Sequence, residues 1–193
     1  MCVYSKTITL SRKSGQEKEF LTRRCTEADL FDIMELQRRI YENLPDPGLY
    51  ALVAEENIHE SILEDYCFGT YHEGRLIAFT MMIANRVSYR NYGTYIGYPE
   101  ERQKQCVSME ISMVDDDYRG YGLQKFFVDL REEEGRRAGA TEALVTIAPG
   151  NKYSLANLID SGYQIIETRP LYEGAVRHIL SKKLELGTAK ATA

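Results

Sequence analysis

Between residues 106 and 114 the chain alternates without a break. Val107, Met109, Ile111 and Met113 occupy one phase; Ser108, Glu110 and Ser112 occupy the other. A period of two predicts a strand with its apolar side chains on a single face. Helical spacing follows at Leu123, Phe126, Phe127 and Leu130, in a run that closes near Gly139. Upstream, Thr26 with Glu27 and Asp29 reads as a capped helix start. Leu30, Ile33, Met34, Ile40, Tyr41 and Leu44 then keep returning to one face, until Pro45-Asp46-Pro47-Gly48 ends the helix. A second helix is expected over 49–63. Strands over 67–71 and 76–84 flank a hairpin turn at His72-Glu73-Gly74-Arg75. A strand is expected over 143–148, a helix over 151–161, and strands over 163–168 and 176–184.

Three stretches lack a period. Residues 11–19 are polar and read as a loop, so the lead-in to about residue 19 is expected to be flexible beside a short strand at 20–24. The last residues, from about 186 to 193, read as a disordered tail. In 85–105, Tyr89, Tyr92, Tyr95 and Tyr98 recur every three residues beside Gly93, Gly97 and Pro99, which argue against a helix. The order β-α-α-β-β-β-α-β-α-β-β predicts an α/β (α+β) class with a mixed sheet covered by helices.

Composition narrows the class. The 193 residues fit one domain over the whole chain, 1–193, with 44% apolar and 27% charged residues. A net charge of -5 supplies no clustered basic face, so nucleic acid is not an expected partner. No run approaches the ~18 apolar residues of a membrane span, and the first twenty residues lack a signal-peptide core. Cys2, Cys25, Cys67 and Cys106 form no CxxC pair, which fits reduced thiols and a cytoplasmic protein. His59, His72 and His178 are too scattered to propose a zinc site, and no metal is expected. Cys106 reads as an idle thiol. Arg177 and His178, in the last strand, read as structural.

The chemistry concentrates at the junction VDDDYRGYGLQKFF, residues 114–127. A strand, then Arg119-Gly120-Tyr121-Gly122-Leu123-Gln124, then a helix exposes unpaired backbone N–H groups at a helix N-terminus, a ready anion site. Glycine lets the backbone approach the anion, and Arg119 can add a charged contact. A nucleotide P-loop fails for want of Lys-Ser or Lys-Thr; a dinucleotide fingerprint fails at Lys125. Asp115 and Asp116 are expected to cap or tighten the turn.

Residues 107–124 resemble the acyl-CoA-binding segment of the GNAT superfamily of acetyl-CoA-dependent N-acetyltransferases. Arg119, Gly122 and Gln124 occupy the three places of its signature, with Gln124 where a small residue is usual. Asn151-Lys152-Tyr153-Ser154 through Gly162-Tyr163 is similar to the family's second segment, with Ser154 in place of alanine. The resemblance implies the GNAT fold, a mostly antiparallel mixed sheet with helices on both faces. It implies that the amides of Gly120, Tyr121, Gly122, Leu123, Gln124 and Lys125 hold the CoA pyrophosphate. Met113 and Val114 would bond the pantetheine arm through main-chain groups, and Asn151, Ser154 and Asn157 would line its other side.

The implied activity is transfer of an acetyl group to a primary amine of a small molecule. A lysine-like amine costs roughly 4 to 5 kcal/mol to deprotonate at pH 7, so a base is needed. Glu110, on the polar phase of its strand, is the candidate, as in many family members. The tyrosine that the family often uses as general acid falls at Leu158. Either the thiolate leaves unassisted or another hydroxyl serves, with Tyr153, Tyr163 and Tyr172 in the same region and Tyr153 taken as the working choice. The segment containing Tyr89, Tyr92, Tyr95 and Tyr98 is either a loop over the acceptor site or a surface strand or dimer contact. A homodimer stays open. The alternatives are a non-catalytic acyl-CoA sensor and a protein or peptide acetyltransferase.

Overall fold

The structure, a computed structural model, describes residues 4–172 and 174–185. Eight strands form one sheet in the spatial order β1 (Ser5–Ser11), β2 (Glu17–Arg24), β3 (Tyr66–His72), β4 (Arg75–Ala84), β5 (Cys106–Val114), β6 (Glu142–Ile147), β8 (Ala175–Lys183), β7 (Gln164–Leu171). Every neighbouring pair is antiparallel except β5 and β6, which run parallel. Helices α1 (Leu30–Glu42) and α2 (Glu55–Glu64) pack Ile33, Leu36, Ile40, Ile58 and Ile62 on one face. Between β4 and β5 lie two short helical turns, α3 (Tyr92–Tyr95) and α4 (Glu100–Gln103). On the other face sit α5 (Leu123–Arg137), through Phe127, Val128 and Leu130, and α6 (Lys152–Asp160), through Leu158. The expected α/β class, with a mostly antiparallel sheet and helices on both faces, is the one observed. Among the described residues, no helix is long and apolar enough to cross a membrane.

Several expectations are corrected. Residues 5–11 form a strand, hydrogen-bonded to Glu17–Arg24 from Ser5↔Arg23 to Ser11↔Glu17, so most of the polar lead-in is a hairpin. As the sheet's edge strand, β1 is largely exposed and needs little apolar patterning. The second helix starts at Glu55 rather than at residue 49, after a 3-10 turn at Pro47–Leu49. Tyr92–Tyr95 is helical despite Gly93, because Asn91 caps it: the Asn91 side chain accepts from the Gly93 amide and donates to the carbonyls of Arg86 and Gln103. The tail at 186–193 lies outside the described residues.

The most consequential correction concerns β5. Its pairing with β4 runs Thr80↔Ser112 and then Met82↔Met109, so Met81 alone faces Glu110 and Ile111. That is a β-bulge, which bends the strand and rotates the residues beyond it. Val107 and Met109 therefore pack with Val128 and Leu180, whereas Ile111 and Met113 pack on the opposite side with Ile33 and Phe79. The single-face reading of the alternation fails at the bulge. Arg131 of α5, buried beneath it, donates to the carbonyls of Met81 and Ile111, groups that the disturbed ladder leaves available. Pairing of β5 with β6 stops at the same place: Met109↔Val145 is the last pair, and the two strands part beyond it.

The turn after β5 is held by its first aspartate. Asp115 is buried, its Oδ2 accepts from Arg75 at 2.6 Å and from Arg39 at 3.3 Å, and its Oδ1 accepts from the Asp117 amide at 3.2 Å. Its own amide donates to the Ile77 carbonyl. Asp116 pairs with Arg119 at 2.6 Å on the surface, and Asp117 is exposed. The triplet thus separates into one anchor and two surface residues. Asp115→Ala removes a cap and leaves Arg75 and Arg39 without their shared acid; it should destabilise the protein by about 2 kcal/mol in urea unfolding. Asp117→Ala should stay within about 0.5 kcal/mol of wild type.

Candidate active site

Where β5 and β6 part, their facing backbone edges have no partner strand, and a cavity of about 640 Å³ fills the gap. Glu110 and Ile111 of the bulge form one wall and Thr146 and Ile147 of β6 another. The 48–53 loop, the tyrosine segment before β5 and the β7–β8 turn close around it.

Glu110 is the first residue of β5 past the last parallel pair. Its carboxylate is held by Arg90, with Nη2–Oε2 at 2.7 Å and Nε–Oε1 at 3.2 Å. Arg90 also donates to Ser61 at 2.7 Å, while its Nη1 lies 3.7 Å from Glu60 and 3.9 Å from Asp65. Arg86 completes the corner with a 2.8 Å pair to Asp65. Burial raises the Glu110 carboxyl above its ordinary value, against the opposing pull of Arg90. Asp65 is raised for the same reason. A carboxylate with a raised pKa at the apex of a cavity is suited to accept a proton.

The tyrosines sort clearly. Tyr153, the working choice for general acid, is 90% exposed at the start of α6 and does not border the cavity. Its position in the helix turns it outward, so that choice is withdrawn on geometry. Tyr163 is buried with its hydroxyl on the Met109 sulfur, 3.1 Å away. Tyr172 borders the cavity, with its hydroxyl 2.9 Å from Thr146 Oγ1. Burial holds its phenol above the ordinary value, so it stays protonated as a donor. Its φ of 44° is a conformation tyrosine seldom adopts, and such strain gathers at functional positions. Tyr89, Tyr92 and Tyr95 also face the cavity, whereas Tyr98 turns away to Arg102 and Glu142. Leu158, in the wall, contributes no hydroxyl.

At the other end, Gly122 caps α5 with φ 79° and no side-chain cap, leaving the first-turn N–H groups available to a ligand. Gly120, at φ 87°, precedes it. Tyr121 and Leu123 are buried, so only their main chain can serve an anion. Arg119 and Lys125 are exposed and already paired, with Asp116 and Asp129. Gln124, Asn151 and Ser154 line the cavity. Asn151 accepts from the Ser154 amide at 3.3 Å, which starts α6. Asn157 lies behind the wall and donates to Gln124 at 2.7 Å, fixing that side chain. Met113 is a core residue, and Val114 pairs with Ala78; the cavity touches Ile111 and Ser112 instead. An uncapped 15-residue helix behind two left-handed glycines fits a phosphate group. Among the described residues, no group of three or more His, Cys, Asp or Glu is placed to hold a metal.

Sequence reasoning missed Arg90, which carries no local signature, and read Arg177 as structural. An arginine in the same strand phase as Ile179, on the buried side of β8, was the available signal for Arg177.

No family model matches the chain, and no curated relative matches it. Solved structures do. A GNAT-family acetyltransferase from Listeria monocytogenes superposes with a TM-score of 0.66 at 15% identity, covering 92% of this chain and 100% of that one. A ribosomal-protein-alanine N-acetyltransferase from Brucella melitensis gives 0.65 at 20% identity, covering 84% and 99%. A protein from Salmonella typhimurium solved with its cofactor acetyl-CoA gives 0.64 at 15% identity, covering 90% and 99%. At such identities the likeness is one of architecture: this chain has the fold of the GNAT acetyltransferases.

Proposed function

We propose that the protein transfers an acetyl group from acetyl-CoA to a primary amine of a small molecule. The observation that carries this reading is Glu110: a half-buried, raised-pKa carboxylate at the point where β5 and β6 part, in the wall of a cavity whose far side is the start of α5. The cavity volume is within the range of small-molecule sites, and tyrosines enclose it.

Acetyl-CoA supplies the thioester. The uncapped α5 N-terminus and Gly120 to Lys125 main chain hold its diphosphate, and Gln124, Asn151 and Ser154 flank the arm. Glu110 takes the proton of the acceptor ammonium. Arg90 keeps the carboxylate fixed and leaves lone pairs free, since a carboxylate offers about four acceptor positions. As nitrogen bonds to the acyl carbon and the C–S bond breaks, Tyr172, held by Thr146, gives its proton to the departing sulfur; the second proton shed by the nitrogen restores the phenol, and Glu110 releases the first to solvent. Unpaired N–H groups along the parted edges can stabilise the oxyanion. A CoA sensor without chemistry would have no use for a raised carboxylate and a strained tyrosine on one cavity.

Glu110→Gln should lower kcat/KM by about 10²- to 10⁴-fold while CoA still binds. The base works only when ionised, and burial raises its pKa; wild-type kcat/KM should therefore fall on the acid side with an inflection above about 4.3, the ordinary glutamate value. That limb should vanish in the variant, and full activity in it would end the role. Tyr172→Phe should lower kcat by about 10-fold or more, whereas Tyr153→Phe should match wild type; the reverse pattern would return the acid to Tyr153. Gly122→Ala meets no atom within 4 Å but opposes φ 79°, at the place where the phosphates lie. Calorimetry should show CoA binding weakened by about 10-fold, a loss assigned to ligand contact and loop strain.

A further inference from the structure

Arg177 is 6% exposed and borders the cavity from β8, where Arg169 of β7 is its register partner. Like charges directly opposite one another on adjacent strands are destabilising. Arg169 resolves this by turning to Glu167, 3.3 Å away, and to the Tyr95 carbonyl. Among the described residues Arg177 makes one hydrogen bond, from Nη1 to the carbonyl of the preceding Val176 at 3.0 Å; its guanidinium lies 5.8 Å from the Tyr172 ring, and no described carboxylate lies within 4.0 Å of it. A guanidinium has five N–H donors, and a buried one is ordinarily paired. The contrast within the same cavity is direct: Arg90 has Glu110, Glu60 and Asp65, and Arg131 has three backbone carbonyls.

The cavity therefore has two poles. At one, Glu110 lines the wall, and behind the lining Glu60, Glu64 and Asp65 share Arg86 and Arg90 with it, four acids to two arginines. At the other, Arg177 has no acid partner among the described residues. Tyr172 borders the same cavity, and the Arg177 guanidinium lies 5.8 Å from the centre of its ring. We infer that the acceptor is an amino-acid-like molecule, whose amine meets Glu110 while its carboxylate, or an anion of similar size, is bound by Arg177. This rests on the transferase reading above and deepens it. A polyamine lacks the anion, and a protein N-terminus carries no carboxylate beside its amine.

The test uses acetyl transfer to amino acids, each paired with its decarboxylated amine. Wild type should favour at least one amino acid over its amine by about 100-fold in kcat/KM. In Arg177→Gln that ratio should fall at least about 10-fold, with Arg177→Lys in between, because lysine keeps the charge but not the two-pronged geometry. Arg169→Gln, away from the cavity, should leave the ratio unaltered. Removing a buried cation without a carboxylate partner should hold or raise the melting temperature of Arg177→Gln, whereas loss of a structural arginine would lower it. A wild-type ratio near one, or an unchanged ratio in Arg177→Gln, overturns the inference. If no amine at all is acetylated, the transferase reading fails separately. Calorimetric titration of the same amino acids into the CoA-saturated protein then decides the anion site: binding lost in Arg177→Gln upholds it, and binding absent in wild type or intact in the variant overturns it.

Discussion

The β-bulge at Glu110 and Ile111 is the constraint on which the rest of the site depends. One extra residue against Met81 rotates β5 by half a strand period, so its apolar side chains serve two different cores on the two faces of the sheet. The same bend draws β5 off β6 immediately after Met109↔Val145. A gap inside a sheet is normally unfavourable, because it strands backbone donors and acceptors. Here Arg131 and Thr80 take up carbonyls on the β4–β5 side, and the opposite edges face the cavity, where a ligand can use them.

Electrostatics in the cavity follow from burial more than from charge count. The chain is modestly acidic as a whole, yet its buried arginines Arg90, Arg131 and Arg177 all reach this one cavity. Arg131 is satisfied by carbonyls and its pKa is lowered to about 10 by burial. Arg90 belongs to an acidic corner shared with Ser61, Asp65 and Glu110, which binds α2 to β5 through side chains and orients the carboxylate. Substitutions here act on fold and chemistry together, so stability and rate must be measured on the same variants.

Anchoring is as economical at the start of α5. Asp115 joins the turn to β4 through Arg75 and to α1 through Arg39, so the two left-handed glycines need no side-chain anchor of their own. Gly122 has no heavy atom within 4 Å of where a side chain would begin. Space is kept open there by anchoring the chain just before it.

Much of this architecture was legible in order and spacing. Period-two and helical patterns identified β3, β4, β5, α1, α5 and their sequence, and the strand–glycine turn–helix junction marked the uncapped start of α5, because those signals are local. β1 was invisible since an exposed edge strand buries little, and α3 since its helix comes from the Asn91 cap rather than from apolar spacing. Glu110 could be picked from its phase, but its partner Arg90 could not, being twenty residues away along an aperiodic loop. Tyr153 looked as eligible as Tyr172 until the helix turned one outward and the β7–β8 turn brought the other to Thr146. The sequence by itself determined most of the elements and the glycine turn that leaves the start of α5 uncapped, for these depend on neighbours within a few residues. Only the tertiary structure decided which side chains share the cavity, because a single extra residue in β5 changes faces without changing the pattern.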